Sequence, residues 1–163
     1  MPLPNYRPNG AKGALLDEYE RALNDLKRVI SSIQPQELQK IADAETTDPD
    51  CQSIQTVLTH VVRSAFGYAI YMRQKAGETI EFRASKPCNT SQEYAEELDA
   101  AFKFTEQTFE LYPDLELESF DAKQKMTVRW GQLYDVEQIM EHAIVHILRH
   151  RRQIERFLVG ECK

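Results

Sequence analysis

The chain is poor in cysteine, glycine and histidine, and each scarcity narrows what it can be. Its three cysteines, Cys51, Cys88 and Cys162, are far apart and form no CxxC pair. That excludes a disulfide framework or a thiolate zinc knuckle and suits a reducing compartment. Only 6 glycines and 7 prolines in 163 residues argue against a loop-rich or disordered chain. No segment approaches the ~20 apolar residues of a membrane span, and the first residues lack the apolar run of a secretory signal. The expectation is a cytoplasmic protein with no membrane partner. A net charge of -6 gives no general attraction to phosphate backbones, so nucleic acid is not an expected partner. The length suits one core, and residues 1–163 read as a single domain.

What is present is helical periodicity. Pro2, Pro4, Pro8 and Gly10 make the first dozen residues an extended arm. From Gly13 to about Ile33, Leu16, Tyr19, Leu23, Leu26 and Ile30 recur at three- and four-residue spacing, the stripe of an amphipathic first helix. Pro35 and Pro49 bracket a connection with one helical turn around Glu37 to Ile41. A second helix runs from Ser53 to about Lys75, with Gly77 as its stop. Thr90 and Glu93 form a capping box for a third helix that Pro113 ends after Tyr112. Lys125 to Gly131 reads as a short extended segment or as a loop packed by Trp130. Asp135 and Gln138 cap a fourth helix, Val136 to Leu158, closed by Gly160. The fold class is therefore all-α, a four-helix bundle with long connections between helices two and three and between three and four.

The four histidines occupy only two places: His60 in the second helix, and His142, His146 and His150 in the fourth. Residues four apart lie one above another on a helix, so the latter three stack along one stripe and two neighbours can share an ion. A wheel of about 100° per residue puts His150 inside the apolar sector, His146 at its edge and His142 towards solvent. It puts His60 on the flank of its own apolar face. His146, His150 and His60 would give three neutral nitrogen ligands and one open position, which suits zinc, nickel or iron. Other templates fail: no glutamate follows the first histidine of the pair as zincins require, and no Glu-x-x-His occurs as in di-iron bundles. Arg149, Arg151 and Arg152 form the one basic cluster, read as a solvated face with an anion-binding role as the rival. Tyr68 and Tyr71 are read as core packing, and the cysteines as inert thiols.

His60 in its setting of Leu58, Thr59, Val61 and Val62, followed by the run from His146 through His150, Arg151, Gln153 and Ile154, resembles the DinB/YfiT-like metal-binding bundles. Their signature is His-x-x-x-His-Arg-Gly-Gln-Ile, from which this chain departs with Arg152 in place of the glycine. The resemblance implies His60, His146 and His150 as metal ligands, with His142 as an alternative and Gln153 and Arg151 beside the ligands. It also implies one divalent metal ion and a low-molecular-weight thiol as partner, and so a metal-dependent thiol S-transferase acting on a small electrophile. A metal-dependent hydrolase is chemically close. The competing expectation is a non-catalytic, metal-stapled bundle that binds as a homodimer. A pocket over the histidines walled by Tyr68, Tyr71, Trp130 or Arg151 would favour catalysis, and a closed site with a fourth protein ligand the staple.

Overall fold

The computed structural model describes residues 6–161. Five helices are formed among them: α1 (Gly10–Ile30), the short α2 (Pro35–Gln39), α3 (Ile54–Lys75), α4 (Ser91–Leu111) and α5 (Val136–Leu158). The four long helices are those legible in the periodicity, and the fold is all-α. Each of α3, α4 and α5 starts where a side chain meets the orphan amide of the first turn. Ser53, Thr90 and Asp135 accept from the amides of Thr56, Glu93 and Gln138, whose own side chains return the bond. Gly77 and Gly160 close α3 and α5 with φ of 95° and 77°, a conformation costly for any residue with a Cβ.

Two boundaries differ from the periodicity. The first helix begins at Gly10 rather than Gly13, so the arm is shorter than expected; residues 1–5 of it lie outside the described part of the chain. Proline cannot stop a helix it precedes, and the segment before α1 is instead folded back onto it. The carbonyl oxygens of Pro8 and Arg7 come within 2.3 and 2.6 Å of where a Cβ on Gly13 would stand. Arg7 holds this fold-back through Asp17, Glu20 and Glu106, at 2.8, 2.8 and 2.9 Å. At its other end α1 stops at Ile30, and Ile33 is buried from a turn rather than from the helix. Pro35 takes the first position of α2, where its missing N–H costs nothing.

The segment 125–134 is both of the forms its sequence allows. Met126–Thr127 (β1) pairs antiparallel with Leu133–Tyr134 (β2), Met126 opposite Tyr134, around a turn that carries Trp130 and Gly131. Gly131 sits at φ 86°.

α3 lies against α4 and α5, and α1 against α5 and α4. Leu26, Ile30, Leu58, Val61, Met72, Leu98, Met140 and Ala143 are closed to solvent at the centre. Each such aliphatic side chain contributes roughly 1.5–3 kcal/mol by leaving water, except the smaller alanine. Among the described residues Arg73 is the one buried guanidinium. It donates to Thr108 Oγ1 at 2.9 Å and to the Phe104 carbonyl at 3.3 Å, and it lies over the Phe104 ring. Those bonds and Glu78, 3.6 Å away, offset its desolvation. The packing of α3 on α5 places the facing histidines of the two helices across a single seam.

Candidate metal centre

α3 brings His60 to this seam and α5 brings His146 and His150, one helical turn apart. One nitrogen from each lies within 4.8 Å of the other two. His60 Nε2 and His146 Nε2 face each other at 2.9 Å. His146 and His150 are 5% and 2% exposed, whereas His60 is half-buried at the mouth.

The outer nitrogens explain how the rings are held. His60 Nδ1 lies 3.0 Å from Asp50 Oδ2, and Arg63 Nη2 lies 2.6 Å from the same oxygen and 3.0 Å from the same nitrogen. A carboxylate can only accept, so Asp50 keeps the His60 proton on Nδ1 and leaves Nε2 with its lone pair towards the cluster. Asp50 comes from a single 3₁₀ turn, Pro49–Cys51, started by Pro49 and by the Asp48 side chain accepting from the Asp50 amide. His150 Nδ1 is 2.8 Å from Gln153 Oε1, one turn along α5. Its proton is held there, and its Nε2 is also left as a lone pair. His146 Nδ1 is buried with no hydrogen-bond partner.

Burial is the main force on the charge state. It pushes His146 down to about 2, helped by His150 and His60, and His150 down to about 4 against the opposing pull of Gln153. His60 is lowered as well by burial, with Asp50 acting in the other direction. All three are neutral imidazoles near neutral pH, the form that ligates metal.

These residues fit a divalent cation. Nitrogens that share a tetrahedral ion at about 2.0–2.1 Å stand about 3.3 Å apart, inside the span of 2.9 to 4.8 Å found here. His60 Nε2, a lone pair, faces His146 Nε2 at 2.9 Å and accepts its proton, and the orphaned buried Nδ1 of His146 is free to take that proton when Nε2 turns a lone pair to a cation. No fourth His, Cys, Asp or Glu joins the group among the described residues.

The remaining sequence candidates fall in different places. His142 is outside the cluster and enclosed by aromatic rings, more shielded than the wheel implies. It stacks on Trp130 with centroids 5.3 Å apart, meets Tyr68 edge-on, and its Nδ1 is 3.2 Å from the Tyr134 hydroxyl. The pair β1–β2, invisible to helical periodicity, carries Trp130 and Tyr134 over it. Gln153 lies beside His150, its Oε1 2.8 Å from Nδ1, whereas the guanidinium of Arg151 turns to Asp25 of α1 at 3.1 Å. Tyr68 is 5% exposed beside His146, and Tyr71 accepts from the Arg129 amide through its hydroxyl. Cys51 and Cys88 are free thiols raised by burial; Cys162 lies outside the described residues.

Sequence reading missed Asp50 and Arg63, and it placed Arg149 in a basic cluster with no contact to a particular histidine. Asp50 lies ten residues before His60 in a loop, and its only signal was the Asp48-Pro49 turn start. The guanidinium Nη2 of Arg149 reaches to 3.4 Å from His150 Nε2. A cavity of about 510 Å³ opens against His150, lined also by Cys51, Arg149, Arg152 and Gln153.

No curated protein matches the chain. The model of the DinB superfamily matches residues 18–154, a span that holds all three clustered histidines. Covering most of the chain, that match establishes what the histidine pattern suggested: the chain belongs to the DinB superfamily.

Proposed function

We propose that the protein holds one divalent metal ion, zinc, nickel or iron, on His60, His146 and His150, and uses it in thiol S-transfer to a small electrophile. The observation that carries this reading is a three-nitrogen group with no fourth protein ligand among the described residues and a cavity against one of its members. A structural staple closes its coordination with protein side chains, whereas a catalytic site keeps a position open. That cavity is walled by Arg149, Arg152, Arg156 and Gln153 with the acids Asp43, Asp48 and Glu161, and none of Tyr68, Tyr71, Trp130 or Arg151 lines it.

When bound, the ion supplies Lewis acidity that lowers the pKa of a thiol at the open position. The chain's residues do the rest. Asp50 and Gln153 fix the tautomers of His60 and His150, and the buried wall of α5 keeps water from His146. In the transfer a sulfur–carbon bond forms as the bond from carbon to its leaving group breaks, and the thiol proton departs with that group.

The test is a panel of small thiols with 1-chloro-2,4-dinitrobenzene, run with metal-loaded protein, chelated protein and the His146→Ala variant. Conjugation above the chelated and variant controls supports the reading. Equal rates in all three, with the metal bound in the parent, would leave transfer without support. Ester hydrolysis under the same comparison would move the assignment to a hydrolase.

A further inference from the structure

The basic cluster of α5 is not one patch. Arg151 turns to Asp25 and is neutralised there. Arg149 and Arg152 line the cavity beside His150, and neither has a carboxylate partner among the described residues. The cavity is also lined by three acids, Asp43, Asp48 and Glu161, whose hydrogen bonds leave their charge in place but which form no ion pair with Arg149 or Arg152 among the described residues. Asp43 Oδ1 accepts from the amides of Glu45 and Thr46, Asp48 caps the turn before Cys51, and Glu161 faces Arg156 at 3.8 Å.

The charge balance at the mouth is unusual. Three imidazoles bring no negative charge to a divalent ion; Asp50 beside His60 is already paired with Arg63, whereas Arg149 stands 3.4 Å from His150 Nε2 with no carboxylate of its own among the described residues. Two cations this close in a partly buried site repel unless an anion lies with them.

We infer that the cavity beside His150 is a carboxylate subsite, in which Arg149 and Arg152 receive the carboxylate of a small substrate whose reacting group faces the three histidines. The inference rests on the metal-centre reading above and adds the substrate class. Guanidinium forks suit a carboxylate because two parallel N–H donors match its two oxygens. A volume of about 510 Å³ accommodates a molecule of a few to a dozen heavy atoms. The carboxylate can belong to the thiol or to the electrophile, and the two are separable.

The experiment uses cobalt(II)-loaded full-length protein, with metal content measured first. Mercaptosuccinate and 2-mercaptoethanol are titrated by the sulfur-to-cobalt absorption band, and succinate by calorimetry with 2-mercaptoethanol bound. The parent, Arg149→Gln, Arg152→Gln and the control Arg151→Gln are compared. If the thiol carries the carboxylate, mercaptosuccinate binds the parent about 10- to 100-fold more tightly than 2-mercaptoethanol, the scale of charge-assisted bonds. That preference then falls in Arg149→Gln and Arg152→Gln but not in Arg151→Gln. If the electrophile carries it, mercaptosuccinate shows no preference and succinate binds beside 2-mercaptoethanol in an Arg149-dependent way. Cobalt bound with neither effect overturns the subsite alone. Protein that takes up no cobalt overturns the metal centre and this inference with it.

Discussion

Replacing Asp50 with alanine tests whether the cluster is organised for metal. Asp50 Oδ2 receives His60 Nδ1 at 3.0 Å and Arg63 Nη2 at 2.6 Å, and Arg63 is already 3.0 Å from that ring nitrogen. Loss of a partner that orients a metal-binding histidine costs roughly 10- to 100-fold in affinity, or about 1.4–2.7 kcal/mol. Here a second effect adds to it. Freed from the carboxylate, Arg63 donates to Nδ1, and the ring proton moves to Nε2, the nitrogen that faces His146. Asp50→Ala is therefore expected at or beyond the upper end of that range. Asp50→Ala with Arg63→Ala should recover about tenfold, since the competing donor is gone. The assay is competition for zinc against a chromogenic chelator, with circular dichroism showing that each variant is folded. Unchanged affinity in Asp50→Ala would refute the argument. So would a double variant that binds more weakly than the single one.

Three further outcomes follow from other parts of the structure. Gln153→Leu removes the acceptor 2.8 Å from His150 Nδ1, and zinc affinity by the same competition should fall about tenfold with little loss of stability. Gly13→Ala places a Cβ 2.3 Å from the Pro8 carbonyl and so expels the arm that Arg7 anchors; a loss of about 1–3 kcal/mol by urea unfolding is expected, and none if the arm is dispensable. The metal-free protein should lose stability as pH falls. Burial holds folded His146 near 2 and His150 near 4, while the unfolded chain protonates near the ordinary 6.5. The unfolded state then binds more protons below about pH 6.5, so stability is full above that pH. Each histidine removes up to about 1.4 kcal/mol per pH unit on the way down. His150 stops contributing below its folded value near 4. A flat profile in urea midpoints between pH 7 and 5 would contradict the burial of these rings.

Most of the fold was legible because its signals are local. The boxes at Thr90 and Asp135 each span four residues, and the stripes of α1, α3, α4 and α5 repeat over five or more turns. The start of α1 was not, because it depends on Arg7 meeting Glu106 ninety-nine residues away. The clustering of His146 with His150 follows from helical spacing, and the placing of His60 beside them from the facing of two apolar stripes. Asp50, Arg63 and the split of Arg149 and Arg152 from Arg151 depend on loop geometry and on Asp25 of another helix, which no periodicity encodes. The aromatic enclosure of His142 was hidden for a similar reason. Trp130 reaches it from the turn between two two-residue strands and Tyr134 from the second of them, and both strands are too short to show alternation.

The central claim is that His60, His146 and His150 hold one metal ion, and elemental analysis tests it most directly. Untagged parent protein and the triple variant His60→Ala, His146→Ala, His150→Ala are reconstituted with zinc, nickel or iron(II), desalted and measured at matched concentration. The account predicts about one equivalent of metal in the parent and almost none in the variant. Equal metal in both, or none in the parent after reconstitution, would contradict it.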